Sequence, residues 1–424
     1  MNYYELMKAA AIAGSGGGTP TPPPVLIEKS VTQNGTYSAE EDDADGYSAV
    51  TVNVPTGGES QPVNDVNFRD YDGTIVASYS AADFAELAAL PENPTHDGLT
   101  AQGWNWALSD AKTYVAAHGK LEIGQMYTTA DGKTRIYIEL TDGRLEPVLG
   151  LGVNGSVDID WVDGSEHETL TGTDTGVYVS TSPHTYPAAG KYVIALTITG
   201  AAQFLANNKA CGLLMKNGSN ANDSKCYANA IEKICIGNNM SSSGSSALMN
   251  CNSLSAVTIP DGARNIWSNV FQNCNSLRAV TIPDSVTSIG DGAFSGCSSL
   301  RSVSIPRSVT SIGNYTFYSC SSLAFITIPD SVTSIGAYAF QNCNALSAVT
   351  IPDSVTDIAI YAFSGCYGLA KIIFCSDTPP TVSDPSAFSG IPTDCKIYVP
   401  AGSLSAYTSA QNYPDSSTYT YIEY

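Results

Sequence analysis

The stretch IPDSVTSIGDGAFSGCSSLRSV, residues 282–303, decides the architecture, because its landmarks return at a fixed interval along the C-terminal half of the chain. Cysteines stand at Cys251, Cys274, Cys297, Cys320, Cys343 and Cys366, each 23 residues after the last. Phe271, Phe294, Phe317, Phe340 and Phe363 keep the same step. So do Pro260, Pro283, Pro306, Pro329 and Pro352, and the leucines at Leu254, Leu277, Leu300, Leu323, Leu346 and Leu369. A strict period of this size marks a solenoid: one unit is too small to bury its own apolar face, and stacking supplies the missing contacts.

Within each unit the pattern L-x-x-V-x-I-P, as in Leu277, Val280, Ile282 and Pro283, reads as a short strand with its aliphatic residues turned inward. Units stacked at about 4.8 Å place each side chain over its equivalent in the next rung. A free thiol packs there as a small hydrophobe, and proline ends the strand because it has no N–H to donate. Val-Thr-Ser-Ile-Gly then starts a second short extended segment ahead of the Ala-Phe pair. The unit resembles the BspA-type leucine-rich repeat over roughly residues 231–374, which implies a binding surface rather than a catalyst. The first unit is degenerate, with Ile236 and Leu248 in place of the strand Ile and the Phe. Phe388, with Ile391 at the cysteine position, reads as a drifted capping repeat within a C-terminal cap over 375–424.

At 424 residues the chain exceeds what one core organises, and its composition shifts upstream of the array. Residues 1–24 read as a short helix and the linker GSGGGTPTPPP, 25–57 as a small β-module, and 63–145 as an α+β module. Residues 146–200 read as a β domain and 201–230 as a segment that caps the start of the array. The order F-x-D-x-D-G, Leu-Pro and Gly-Trp in 63–145 resembles the internalin-type B-repeat. Asp160, Trp161, Asp163 and Gly164, followed by His184, Tyr186, Gly190 and Tyr192, resemble the polycystic-kidney-disease type of immunoglobulin-like domain, which implies a β-sandwich spacer. The expected fold is multidomain and mainly β: small β and α+β modules, an Ig-like sandwich, and a C-terminal leucine-rich-repeat solenoid.

Acidic residues outnumber basic ones by 40 to 19, a formal charge of −21, which argues against nucleic acid and anionic membranes as partners. No stretch reaches the roughly 18 apolar residues of a membrane-spanning helix, so no membrane insertion is expected. The N-terminus carries Glu5 and no basic residue before Lys8, a poor secretory signal, and STYTYIEY at the other end holds no wall-sorting motif. The sequence has no G-x-S-x-G, P-loop, H-E-x-x-H or C-x-x-C, so neither an enzyme nor a cofactor is expected. His167, Glu168 and His184 make a zinc site conceivable but lack a third ligand at a recognisable spacing. The acidic loop of Glu40, Glu41, Asp42, Asp43 and Asp45 reads as a calcium site or, better, as a solvated turn. Cys211, Cys226, Cys235, Cys375 and Cys395 lie off the ladder; pairing of Cys375 with Cys395 and of Cys211 with Cys226, or free thiols throughout, both stay open.

Ligand contacts should come from side chains that the repeat does not need. Thr258, Thr281, Ser304, Thr327 and Thr350 form a hydroxyl stripe on the outward strand face. Asn269, Gly292, Tyr315, Tyr338 and Tyr361 share another column, so three tyrosines stack on successive rungs, either as packing or as a surface for glycan or protein. Trp267, Tyr318, Phe325 and Tyr367 break their columns and are candidates for specific contacts. Trp104 and Trp106 read as a sugar platform or as core. The expected partner is a cell-surface protein or glycan met by the array. The expected carrier is a phage tail, docked through residues 1–24 and there compatible with an oligomer; the alternative is a bacterial surface that displays a BspA-like adhesin.

Overall fold

The computed structural model describes residues 65–71, 74–141, 145–204, 214–216, 227–237, 240–241 and 244–424. The helix, linker and β-module expected before residue 58, the acidic loop, Cys211 and Cys226 lie outside the described residues. The fold is mainly β and ends in the expected solenoid.

Four strands and two helices form the first layer: β1 (Val66–Arg69), β2 (Ile75–Tyr79), α1 (Ala81–Ala85), β3 (Leu99–Trp104), α2 (Leu108–His118) and β4 (Leu121–Thr129). The sheet order is β2-β1-β4-β3, with β1 and β4 parallel. The alternation in β1 turns Val66 and Phe68 into a core with Phe84, Trp104, Trp106, Tyr114 and Ile123. Ser80 caps α1 by accepting from the Asp83 amide, and Gly119 ends α2 at φ +81°, the left-handed turn glycine adopts freely. Trp104 and Trp106 are 8% and 2% exposed, so they serve this core and form no sugar platform.

A second sheet follows, of β5 (Thr134–Leu140), β6 (Pro147–Asp160), β7 (Glu168–Ser180), β8 (Gly190–Gln203), β9 (Leu214–Lys216), β10 (Ile231–Cys235), β11 (Met240–Ser241) and β12 (Ala256–Thr258). Its path is β12-β10-β5-β8-β6-β7. Here the structure departs from the expected boundary at residue 145. Strand β5 leaves the α+β layer and pairs with β8 and β10, because Ile136, Ile138 and Leu140 alternate onto the apolar face that those strands share. Residues 146–200 are therefore continuous, in one sheet, with the first rung of the solenoid. Gly155, Gly172 and Gly200 sit in register on β6, β7 and β8, where a Cβ would lie 2.2, 2.3 and 2.3 Å from the facing carbonyl oxygens. The residues behind the spacer resemblance do meet: His184 stacks on Trp161 at 4.3 Å, its Nε2 lies 2.7 Å from Asp163, and the Tyr186 hydroxyl donates to the Trp161 carbonyl.

From Ala256 onward most rungs contribute two short parallel strands, and the segment Phe325–Ile328 pairs with the strand before it through an isolated parallel bridge between Ser304 and Thr327. One ladder runs through Ala279–Thr281, Ser302–Ser304, Ala348–Ile351, Lys371–Phe374, Lys396–Val399 and Thr420–Glu423. The other runs through Asn265–Ile266, Ser288–Ile289, Ser311–Ile312, Ser334–Ile335, Asp357–Ile358 and Thr381–Val382. Between them lies one apolar core. The Phe column stacks from Phe271 to Phe388 at centroid spacings of 5.2–5.7 Å, and every ladder cysteine is fully buried. Cys274, Cys297, Cys320, Cys343 and Cys366 each donate Sγ–H to a carbonyl of the preceding rung, and burial pushes Cys297 up to about 12 and Cys320 well above the usual thiol range. These thiols are packing groups with little thiolate character. The cap adds α3 (Leu404–Ser409), which brings Tyr407 onto Phe374, with Tyr413 against Phe388. Cys375 and Cys395 are free, and so is Cys235.

Candidate recognition surface

The outward strand face is where a ligand would meet the hydroxyl stripe, but the chain covers it itself. Thr258, Thr281, Ser304 and Thr327 are 3%, 9%, 5% and 2% exposed, and only Thr350 is half-buried. The cover is the α+β layer. Asn105 Nδ2 donates to Ser304 Oγ at 2.8 Å, and the Tyr114 hydroxyl donates to the Ile328 carbonyl at 3.0 Å. Arg307 pairs with Asp110 and lies 4.9 Å over the Trp106 ring. Gly124 makes the close approach feasible, because a Cβ there would sit 2.4 Å from Thr281 Oγ1. Small hydroxyl residues suit the first rungs of this column because the α+β layer packs over them.

The tyrosine column stays on the outside. Tyr315 and Tyr338 stack at 4.6 Å with rings 4° apart, Tyr338 and Tyr361 at 5.0 Å and 25°, and Tyr318 meets Tyr315 edge-on at 5.9 Å. Tyr315 is 43% exposed and the other two are half-buried. Desolvation between its neighbours pushes the Tyr338 phenol up. The backbone beneath has a requirement that periodicity alone does not reveal. Ser246, Asn269, Gly292, Tyr315, Tyr338 and Tyr361 all have φ between +56° and +65°, in the left-handed region. Gly, and to a lesser degree Asn, suit that region, whereas another side chain costs about 1–2 kcal/mol there. Asn269 and Gly292 were the sequence signal for this turn.

The remaining candidates fall on separate columns. Trp267, 41% exposed, stands where later rungs carry Gly290, Gly313 and Gly336. Tyr367, 66% exposed, lies on the turn that leads into a strand, in the column of Asn252, Asn275, Ser298, Ser321 and Asn344. Phe325 is half-buried on the strand face beside Ile326. The structure therefore joins only Tyr318 to the ladder. The histidines do not converge either: His167 lies between Asp158 and Asp160, at 3.0 and 3.6 Å, whereas His184 belongs to Asp163. Among the described residues no group of three His, Cys, Asp or Glu side chains is placed to hold a metal, and no helix is long and apolar enough to cross a membrane.

Two parallel strand ladders, a Phe stack and a buried cysteine ladder give the geometry against which known proteins can be compared. The repeat region matches the BspA type leucine-rich repeat family. Six copies of that family's repeat cover residues 219–346 and 264–393. Solved structures show similarity to a leucine-rich repeat protein from Bacteroides ovatus ATCC 8483, at 22% identity over 45% of this chain and 66% of that one, with a TM-score of 0.25. The T. pallidum leucine-rich repeat protein TpLRR is 28% identical over 42% of this chain and 73% of its own, with a TM-score of 0.31. A leucine-rich cell surface protein from Faecalibacterium prausnitzii A2-165 is 23% identical over 44% and 79%, with a TM-score of 0.24. This chain thus spans about two thirds of the first of these structures. No curated protein matches. The family match lies wholly in and beside the array, and the internalin-type and polycystic-kidney-disease-type modules remain resemblances.

Proposed function

We propose that this protein is a non-catalytic recognition protein, displayed at a cell surface as an adhesin, that contacts its partner through the tyrosine ladder of Tyr315, Tyr338 and Tyr361. The observation that carries the reading is the left-handed backbone under those residues. Folding would be served as well or better by the Asn and Gly of earlier rungs, so the phenol side chains are retained for what they touch. The strand face, the other regular surface, is occupied by the α+β layer over its first rungs. Of the two carriers, the cell surface is better supported, because the repeats match the BspA type, which resembles the repeats of bacterial surface adhesins. Nothing in that match speaks for a phage tail.

Beads coated with the full chain should adhere to a panel of bacterial and epithelial cells, and replacing Tyr315, Tyr338 and Tyr361 with Ser should remove most of that adhesion while the melting transition persists. Unaltered adhesion would refute the site. Antibody labelling of intact producing cells tests the carrier: surface staining supports an adhesin, whereas incorporation into phage particles that is lost on deleting residues 1–24 would favour the tail.

A further inference from the structure

We propose that the ledge at the N-terminal ends of the repeat strands binds a linear anionic polysaccharide along the solenoid axis, through Arg278, Arg301, Lys371 and Lys396. The net charge of −21 hides this feature. Arg278 and Arg301 occupy equivalent exposed positions on neighbouring rungs, immediately before the paired Ala279 and Ser302. Lys371 and Lys396 are direct partners in the strand pairing. Like charges facing each other across strands destabilise a sheet. Even so, among the described residues no carboxylate forms an ion pair with any of the four; Lys371 lies only over the Tyr398 ring, at 4.4 Å. Asp394, exposed two residues before Lys396, makes no ion pair with it. The same columns hold uncharged Ser255, Ala324, Ser347 and Ala370, or Ala256 and Ala348, on other rungs, and Glu232 and Lys233 on the first, where Glu232 is paired with Lys191; the repeat therefore does not require the cations.

The surroundings suit a sugar chain. The adjoining turn carries the Asn252, Asn275, Ser298, Ser321, Asn344 and Tyr367 column, in which Asn275 donates to Asn252 at 3.0 Å and Tyr367 offers an exposed ring. Five rungs separate Arg278 from Lys396, about 24 Å, with roughly 14 Å between the two cation pairs. A small anion reaches one pair; a polymer reaches both and gains from their linkage. Charges elsewhere on the acidic chain are screened beyond about 8 Å at physiological salt. Four cations over this length are too few for a duplex that carries a charge every ~1.7 Å, but they fit a glycan with spaced acid groups and neutral hydroxyls between them. This ledge is separate from the tyrosine ladder and does not depend on it.

Calorimetric titration of the full chain with polygalacturonate, at low and at physiological salt, tests the proposal, with dextran sulfate as the sulfated arm and neutral dextran as control. Both polyanions should bind, more weakly as salt rises, and dextran should not. Arg278→Ser with Arg301→Ser, or Lys371→Ala with Lys396→Ala, uses residues already present in the same columns, and each pair should weaken binding at least about tenfold. Arg264→Ser, at the start of the other strand ladder, should leave it unchanged. The proposal is overturned if the wild type does not bind at low salt or if the quadruple variant binds as the wild type does. It also falls if digalacturonate matches the polymer, or if duplex DNA outcompetes polygalacturonate.

Discussion

Six successive rungs of the solenoid turn twice through the left-handed region, four residues apart, and the two turns are filled differently. At the second turn the residues are Asn250, Asn273, Gly296, Ser319, Asn342 and Gly365, all small or amide-bearing, as the backbone prefers. At the first turn Asn269 and Gly292 follow the same rule and Ser246 is at least small, and then three tyrosines break it. The backbone requirement is the same, so the difference lies in what the side chains do. At the second turn the amides tie rungs together, as where Asn273 donates to Asn250 at 2.9 Å. At the first, the aromatic rings contact mainly one another and solvent.

The contrast holds only if the tyrosines lie outside the structural core, and a core column sets the scale. Phe317 is fully buried between Phe294 and Phe340, at 5.6 and 5.4 Å. Phe317→Ala should cost about 3–5 kcal/mol, read as a large fall in the urea midpoint. A fall of that size from Tyr338→Ala would place Tyr338 in the core as well and erase the distinction.

A smaller effect is expected where the covered strand face meets its cover. In Gly124→Val the new Cβ falls at the position that lies 2.4 Å from Thr281 Oγ1, so the α+β layer must lift off the stripe. Hydrogen exchange should rise along Ala279–Thr281 and Ser302–Ser304 and stay unchanged at Tyr315, Tyr338 and Tyr361. Equal protection on the strands in variant and wild type would show that the layer does not seal this face.

The smallest expected effect lies at Asp163, beside the stacked His184 and Trp161. Burial raises the Asp163 pKa, but hydrogen bonds from the Ser165 side chain and amide and from His184 outweigh it and hold the carboxyl at about 2, below its ordinary 3.8. A depressed folded-state pKa contributes stability that is fully present above the unfolded value and is lost as pH falls toward the folded one. The melting temperature should therefore decline slightly more steeply between about pH 4 and 2 in the wild type than in Asp163→Asn. Parallel acid limbs would remove Asp163 from the account.

The array was legible from sequence because its signal is local and repeated: columns of Cys, Phe, Leu and Pro report burial directly, down to Ile236 and Leu248 in the degenerate rung. What joins distant segments was not legible. Asn105 and Ser304 are 199 residues apart, and no spacing rule reveals that β4 lies on the stripe. Strand β5 read as the end of the α+β module because it follows β4 in the chain, yet its alternating Ile and Leu find their apolar partner in β8 and β10. Trp104 and Trp106 are ambiguous for a similar reason, since a large aromatic residue suits a core and a sugar platform equally. The tyrosine column was visible, but the strain under it was signalled only by Asn269 and Gly292 on earlier rungs, because the tyrosines themselves carry no mark of the turn beneath them.

The central claim is that Tyr315, Tyr338 and Tyr361 are held for recognition at the expense of the backbone. The direct measurement is a paired one: urea midpoint and cell adhesion of the triple variant with Asn at all three positions, alongside the reciprocal Asn342→Tyr. The midpoint should stay unchanged or rise with adhesion lost in the first, and stability should fall by about 1–2 kcal/mol with adhesion kept in the second. A triple variant that is destabilised yet adheres like the wild type would contradict it.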